Sequence, residues 1–196
     1  MTKLEILDRL LRLIEIVSAC YGSLLVKGYL DKRRERKTDT VSKDIDRKRQ
    51  AQEVAERMLY ELEASRVVFW LFSNGDTTLN GYHLKKLSVF AEANHPGQEM
   101  MSPYFQLVPS KQFERALMQL HDASDDYLVT QESSLTDSLS ALADQYNIDT
   151  ILRVKVRTDT GRWVGMVSVC YSDNRELTEG QIAFAKMQAA ILGSIK

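Results

Sequence analysis

The last third of the chain constrains the fold more than any other segment. Two runs rich in β-branched residues, Ile151–Arg157 and Trp163–Tyr171, are separated by a short turn. An amphipathic stretch follows at once, beginning at Leu177 and continuing to the C-terminus. The sequence therefore predicts two strands joined by a tight turn and closed by a helix.

Earlier in the chain, the sequence predicts a long helix followed by a second pair of strands. Apolar residues at helical spacing predict the helix over residues 41–64, from Val41 and Ile45 onward. Its middle, residues 46–52, has no large apolar side chain and should be exposed or bridge between contacts. The continuous apolar run Arg66–Phe72 predicts a central strand covered on both faces, and the turn residues Ser73–Asp76 should end it.

The next strand is predicted over residues 84–94, where alternation gives one apolar and one mixed face. The apolar set is Leu87, Val89, Ala91 and Ala93, and the mixed set is Lys86, Ser88, Glu92 and Asn94. A loop over residues 98–109 should follow, anchored by Met100, Met101, Tyr104, Phe105 and Leu107. Ser110 is expected to cap a helix that buries Phe113, Leu117 and Leu120. A short strand at residues 127–131 and a helix over residues 135–146 complete the prediction.

The first thirty residues are predicted to form a helix whose apolar stripe is too wide to be covered on one side. We predict oligomerisation through one row of this stripe, namely Leu7, Leu11, Ile14, Tyr21 and Leu25. Self-association through a coiled coil is the favoured interpretation. Packing against the domain and a membrane anchor through residues 10–26 stay open. The apolar part between Glu15 and Lys27 is shorter than the ~20 residues that span a bilayer, although basic residues follow it, as in many anchors.

Basic residues outnumber acidic ones between Asp31 and Arg49. A solvated helix face or a joint between helices explains this run, and a contact with phosphate on lipid or nucleic acid is the alternative. No aromatic residue lies among these charges to stack on a base, which disfavours nucleic acid as a partner. We place a domain boundary here: residues 1–40 are an apolar helix and a basic segment, and residues 41–196 are one domain with its leading helix.

The totals favour a protein of the cytoplasm. The net charge of −1 at pH 7 gives no general attraction to polyanions. Cys20 and Cys170 fall in different predicted segments, so we expect no disulfide framework and a reducing compartment. Charged residues interrupt the first turns, and no signal-peptide cleavage site follows an apolar run.

The order of the predicted elements resembles that of a GAF domain. Residues 177–192 are similar to the last helix of that family, and Trp163–Val169, with its glycine, is similar to the strand before it. The resemblance covers residues 50–196. It implies an antiparallel sheet with terminal helices on one face and a ligand region on the other, here preceded by an N-terminal helical stalk.

A narrower resemblance is to GAF-like proteins encoded by tailed bacteriophages. It is carried by Phe69–Gly75, by Pro96-Gly97 and by Pro109-Ser110 before the next helix. This resemblance implies a location in the host cytoplasm or the virion. The sequence lacks the residues of the family's small-molecule roles: the cysteine set of methionine sulfoxide reductases, the Asn-Lys-Phe-Asp-type signature of cyclic-nucleotide binders, and a cysteine placed for a bilin. The resemblance therefore implies no cofactor.

The candidate ligand site is a group of cations in the strand Ile151–Arg157. Arg153, Lys155 and Arg157 alternate with apolar residues, so they share one face of that strand. On the face that GAF domains use for ligands, they could hold a small anion through charge-assisted hydrogen bonds. Lys86 and Ser88 would join them if the mixed face of their strand points to the same side. The alternative is an edge strand or a solvated face, where such charges discourage aggregation.

No metal site and no catalytic residue is predicted. The three histidines lie far apart in sequence, and neither cysteine has a neighbour at ligand spacing. Cys170 lies on a predicted core strand, where a thiol behaves as a small apolar group. We therefore predict a non-catalytic GAF-like sensor or protein-interaction module that self-associates through its N-terminal helix. Two alternatives stay open: a structural subunit of a larger assembly such as a phage virion, and a membrane-tethered accessory protein.

Overall fold

The computed structural model of the protein describes residues 40–77, 83–131 and 138–195. The chain divides into two units, Met1–Asp46 and Arg47–Lys196. Of the first unit, the described residues 40–46 are helical, and Val41 and Ile45 are exposed there. These two residues were expected on the apolar line of the helix, so that part of the prediction is wrong. The remainder of the fold concerns the second unit.

The second unit is built on one antiparallel sheet, as the resemblance implied, and it has six strands where the sequence predicted five. The strands are β1 (Arg66–Thr77), β2 (His83–Asn94), β3 (Val108–Pro109), β4 (Tyr127–Gln131), β5 (Thr150–Arg157) and β6 (Trp163–Tyr171). They lie in the order β3-β2-β1-β6-β5-β4. The tight turn between β5 and β6 depends on Gly161, whose φ of 79° suits glycine better than any other residue. Because β5 is an interior strand, the prediction that its cations discourage pairing at an edge is wrong.

Two helices cover one face of the sheet, as expected. These are α1 (residues 40–61) and α4 (Glu179–Ser194). From residue 47 onward, α1 contributes Ala51, Val54 and Met58 to a core, and Leu62 joins it directly after the helix. This core also contains Val67, Val154 and Val169 of the strands and Ala185 and Leu192 of α4. A capping box begins α4: Thr178 Oγ1 accepts from the Gln181 N–H, and the Gln181 side chain accepts from the Thr178 N–H.

The other face of the sheet is covered by shorter elements. They are the loop of residues 98–107, a 3-10 turn (Ser110–Phe113), α2 (Glu114–Asp122) and α3 (Ser138–Tyr146). Their core includes Trp70, Leu87, Val89, Met101, Phe113, Leu120, Tyr146 and Met166. Among the helices of the described residues, none is long and apolar enough to cross a membrane.

Several local predictions differ from the structure. The turn residues after Phe72 lie inside β1, which continues to Thr77 with an irregular register between Asn74 and Thr77. Pairing with β2 therefore overrides local turn preference there. Ser110 is the first residue of a 3-10 turn and caps no α-helix: the N-cap of α2 is Phe113, without a side-chain cap. Of the expected loop anchors, Met101 and Phe105 pack inward, whereas Met100, Tyr104 and Leu107 are exposed.

A β-bulge in β2 changes which residues share a face. Phe69 pairs with Ala91 and Trp70 pairs with Val89, so Phe90 is an extra residue in β2. The bulge shifts the alternation by one residue. As a result Ala91 and Ala93 pack with α1 and α4, while Leu87 and Val89 pack on the opposite face. The expectation that all four share one face is wrong.

Candidate functional site

The sheet encloses a small cavity with the elements on the face opposite α1 and α4. We call it the Arg153 cavity. Its sheet wall comes from Trp70, Ile151, Arg153, Met166, Ser168 and Cys170, and its outer wall includes Met101, Phe105 and Phe113. The volume is about 50 Å³. The lining residues are apolar except for the Arg153 guanidinium, the Ser168 hydroxyl, the Cys170 thiol and the Trp70 indole nitrogen.

Arg153 carries the charge of this cavity. Strand alternation turns its side chain to the cavity side, because its neighbours Leu152 and Val154 belong to the core on the helix side. Only 4% of the residue is exposed. Within the described residues, the guanidinium donates one hydrogen bond, from Nη1 to Thr130 Oγ1 at 3.0 Å, and pairs with no carboxylate. Burial lowers the pKa of Arg153 from its ordinary value, although an arginine stays protonated.

Trp70 lines the same cavity and carries a second buried donor. Its residue is 4% exposed, and its Nε1 is buried without an acceptor among the described residues. The ring is held by Phe113, at a centroid distance of 5.3 Å, and by Phe105, at 5.7 Å. A buried N–H without a partner is unfavourable, so this atom is a hydrogen-bonding position that the described chain leaves open.

Cys170 is the one thiol on the cavity wall, and its chemistry is that of a core residue. Burial raises its pKa to about 11, although Arg153 acts in the opposite direction. The thiolate is the nucleophilic form of cysteine. At neutral pH the residue is therefore protonated and unreactive, as the sequence predicted for a core strand.

Lys155 and Arg157 share a face with Arg153 but are paired elsewhere. Asp126 lies at a left-handed φ of 61° before β4 and reaches both side chains. Its carboxylate contacts Lys155 Nζ at 2.9 Å and accepts hydrogen bonds from Arg157 Nε and Nη2 at 3.0 and 2.9 Å. The hydrogen bonds from Arg157 and then Lys155 lower the pKa of Asp126 to about 2. Neither cation lines the cavity, so their role in ligand binding stays a prediction without geometric support.

Lys86 and Ser88 do not face Arg153. Their neighbours Leu87 and Val89 pack on the cavity side of the sheet, so alternation directs Lys86 and Ser88 to the other side. Ser88 Oγ accepts a hydrogen bond from the Leu107 N–H at 2.8 Å. The expected convergence of these two residues with the cations of β5 is therefore wrong, and the bulge at Phe90 is the reason.

A buried ion pair that sequence reasoning missed holds the loop over the cavity. Arg66 and Glu92 are 2% and 1% exposed in their side chains and pair directly. Glu92 also accepts hydrogen bonds from the N–H groups of Met101 and Ser102, at 2.9 and 2.8 Å. The Arg66 guanidinium lies 4.9 Å from the centre of the Tyr146 ring. Met101 forms part of the cavity wall, so this pair positions one side of the site.

The oligomerisation row Leu7, Leu11, Ile14, Tyr21 and Leu25 is outside the described residues, and its role stays a prediction. His121 stacks on Trp163 with a centroid distance of 6.1 Å, which accounts for it as a packing residue. In the part of the chain that the structure describes, no three metal-binding side chains are grouped.

Comparison with solved structures identifies the fold. The GAF domain of Thermosynechococcus elongatus PixJ, in its blue-light absorbing form, aligns with a TM-score of 0.58 and 16% identity over 78% of this chain and 88% of its own. The phycocyanobilin-bound GAF domain of a cyanobacterial phytochrome aligns with a TM-score of 0.57 and 13% identity, over 81% of this chain and 88% of its own. The red/green cyanobacteriochrome NpR6012g4 aligns with a TM-score of 0.57 and 13% identity, over 76% of this chain and 92% of its own. The chain has a GAF-like fold.

Comparisons of the sequence assign the chain to no family. No protein-family model matches the chain, and no curated protein matches it. The resemblance to phage-encoded proteins stays a prediction.

Proposed function

We propose that this protein is a non-catalytic sensor and that its ligand occupies the Arg153 cavity. The observation that carries the proposal is a buried guanidinium on an apolar cavity, without a carboxylate partner among the described residues. A buried charge without a counter-ion is strongly unfavourable. A ligand that neutralises Arg153 would therefore gain much of its binding energy from that one contact.

Binding is favoured over catalysis by the chemistry of the lining. The Cys170 thiol is protonated at neutral pH because burial raises its pKa to about 11. The other polar groups that we assign to the cavity are the guanidinium, the Ser168 hydroxyl and the indole N–H, and none of these is a base at neutral pH. The lining thus offers donors that can hold a ligand and lacks a group that would activate it.

The ligand differs in size from those of the solved neighbours. One neighbour is described as bound to phycocyanobilin. Pockets for ligands of drug size have volumes of roughly 300–1,000 Å³, whereas the Arg153 cavity measures about 50 Å³. We therefore propose a ligand of a few non-hydrogen atoms and no bilin.

We propose that the signal leaves the domain through α1. The Gln52 side chain on α1 donates from Nε2 to the Glu92 carbonyl oxygen at 2.9 Å and accepts from the Glu92 N–H at 3.3 Å. The Glu92 carboxylate in turn binds the N–H groups of Met101 and Ser102 beside the cavity. This continuous set of hydrogen bonds links the loop over the cavity to the helix that leads toward the N-terminus. The response we propose is a change in self-association through the N-terminal row.

The binding proposal is tested by thermal unfolding of the full chain against a defined panel of small organic anions and neutral metabolites. We expect at least one anion to raise the melting temperature, since a ligand that binds only the folded state stabilises it. The variant Arg153→Met should lose that response. Arg162→Met, which removes an exposed cation outside the cavity lining, should keep it. If no member of the panel stabilises the wild-type chain, the sensor proposal is wrong.

Self-association has its own test. Light scattering should give a defined oligomer for the full chain and a smaller mass for the double variant Leu11→Glu, Ile14→Glu. The stabilising anion should shift the mass distribution of the wild-type chain. A wild-type monomer with and without the anion would contradict this part of the proposal.

A structural role in a larger assembly is the second candidate, and the small volume of the cavity favours it. If Trp70, Phe105 and Phe113 fill this region as ordinary packing, no ligand is needed. This candidate predicts that Arg153→Met has no functional consequence and that no compound of the panel changes the melting temperature. Encoding by a phage, assembly into a virion and a membrane tether stay predictions from the sequence.

A further inference from the structure

We infer that the ligand of the Arg153 cavity is a monocarboxylate of two or three carbons, with its carboxylate held between the Arg153 guanidinium and the Trp70 indole N–H and its alkyl end against the apolar wall. This inference deepens the proposed function and rests on it. It depends on three independent properties of the cavity: its charge, its unpaired donor and its size.

The charge requires an anion. Arg153 is 4% exposed, and the described chain gives it a hydroxyl partner but no carboxylate. Guanidinium carries five N–H donors, and the hydrogen bond to Thr130 uses one of them. A carboxylate matches the remaining fork of donors and supplies one negative charge for one positive charge. A dianion would bring an excess charge into an apolar site, which is unfavourable.

The unpaired donor guides where we place the anion. Trp70 Nε1 is buried and has no acceptor among the described residues, and Trp70 and Arg153 line the same cavity. The indole is a donor only, so it selects an acceptor atom in the ligand. A carboxylate has two oxygens and can accept from both residues at once. Neither an ammonium nor an alkyl group could satisfy this position.

The size limits the ligand to a few atoms. A water-sized group needs about 10–15 Å³ of such volume, so the cavity of about 50 Å³ holds roughly three to five of them. A carboxylate group takes most of that space and leaves room for a short alkyl chain. Met166, Ile148 and Phe113 belong to the apolar part of the lining, and this surface suits a methyl or methylene group rather than a second polar one.

The test is a calorimetric and thermal-unfolding titration of the full chain with the sodium salts of formate, acetate, propionate, butyrate and hexanoate, and with propionamide. Sodium chloride keeps the ionic strength constant. We expect the tightest binding for acetate and propionate, in the millimolar range or tighter as ligand size allows, and weaker binding for butyrate. Formate should bind more weakly because it has no alkyl end, hexanoate should be excluded, and neutral propionamide should not bind.

Two variants assign the contacts. Arg153→Met should abolish carboxylate binding and should leave the ligand-free chain at least as stable, because it replaces a buried charge that has no carboxylate partner among the described residues by an apolar side chain. Trp70→Phe removes the indole donor and should weaken binding about tenfold or more. Arg162→Met, at an exposed position outside the cavity lining, is the matched control and should bind like the wild type.

The outcomes separate this inference from the function on which it rests. If short carboxylates fail while another small molecule stabilises the wild type but not Arg153→Met, the sensor proposal stands and the ligand class is wrong. Binding that survives Arg153→Met also overturns the inference, because the carboxylate then lies elsewhere. If neither the carboxylates nor the wider panel binds, both proposals fail.

Discussion

The buried pair Arg66–Glu92 allows a quantitative prediction, because it is enclosed almost completely. Glu92 accepts a hydrogen bond from Arg66 and one each from the N–H groups of Met101 and Ser102. The variant Glu92→Gln keeps the side-chain volume but removes the charge. It leaves the Arg66 guanidinium buried without its counter-ion and brings an amide NH₂ toward backbone donors. Breaking a buried pair by neutralising one partner costs about 3–5 kcal/mol.

That loss is large relative to the total free energy of unfolding of about 5–15 kcal/mol. Urea denaturation followed by circular dichroism measures it directly. With an m-value of about 2 kcal/mol/M, the midpoint should fall by roughly 1.5–2.5 M. Glu53→Gln, at an exposed position of α1, is the matched control and should change the free energy by less than about 0.5 kcal/mol.

A double variant tests whether the charge is the cause. In Arg66→Met, Glu92→Gln no charge stays buried at this position, so the loss should be smaller than the sum of the two single losses by about 1–3 kcal/mol. Two results would refute the reasoning. One is a loss below about 1 kcal/mol for Glu92→Gln, and the other is strict additivity of the two substitutions.

Three further predictions follow from single contacts. Gly165→Ala should destabilise the chain by about 1–3 kcal/mol in urea denaturation, because a Cβ there would overlap the Trp70 carbonyl oxygen; an unchanged midpoint would contradict this. The pKa of Asp126 is lowered from 3.8 to about 2 on folding, so its stabilisation is complete above about pH 4 and disappears as the pH falls toward 2. Partial exposure limits it to about 1 kcal/mol, and Asp126→Asn should remove that pH dependence of the unfolding free energy. In a Cys20→Ser background, Cys170 should react with a thiol reagent at pH 7.5 only on unfolding, since burial raises its pKa to about 11; fast reaction of the folded chain would refute its assignment as inert.

Local patterns in the sequence were sufficient to predict the main strands and helices of the fold. The β-rich runs that became β5 and β6 are marked by composition and by a short turn, and the Thr178–Gln181 box marks the start of α4. These signals depend on neighbouring residues alone. The same holds for the shared face of Arg153, Lys155 and Arg157, which strand alternation dictates.

The site could not be derived in this way, because it depends on contacts between distant segments. The bulge at Phe90 leaves no trace in the alternation of β2, and it moved Lys86 and Ser88 away from the cavity. Glu92 was placed on a mixed face, but its partner Arg66 is 26 positions away in sequence. Asp126 pairs with Lys155 and Arg157, whereas Arg153 lines the cavity. Only the tertiary structure brings Asp126 to the two cations that it pairs with.

The central claim, that the Arg153 cavity receives an anion, is tested most directly by the indole resonances in a ¹H–¹⁵N NMR spectrum of the full chain. The sequence has two tryptophans, so each indole N–H can be assigned with one substitution. Trp163 Nε1 already donates to the Gly165 carbonyl oxygen at 2.6 Å and serves as the internal reference. On titration with propionate, we predict that the Trp70 indole proton shifts downfield and saturates while that of Trp163 stays in place. A Trp70 resonance that does not respond to propionate or to any anion of the panel would contradict the account.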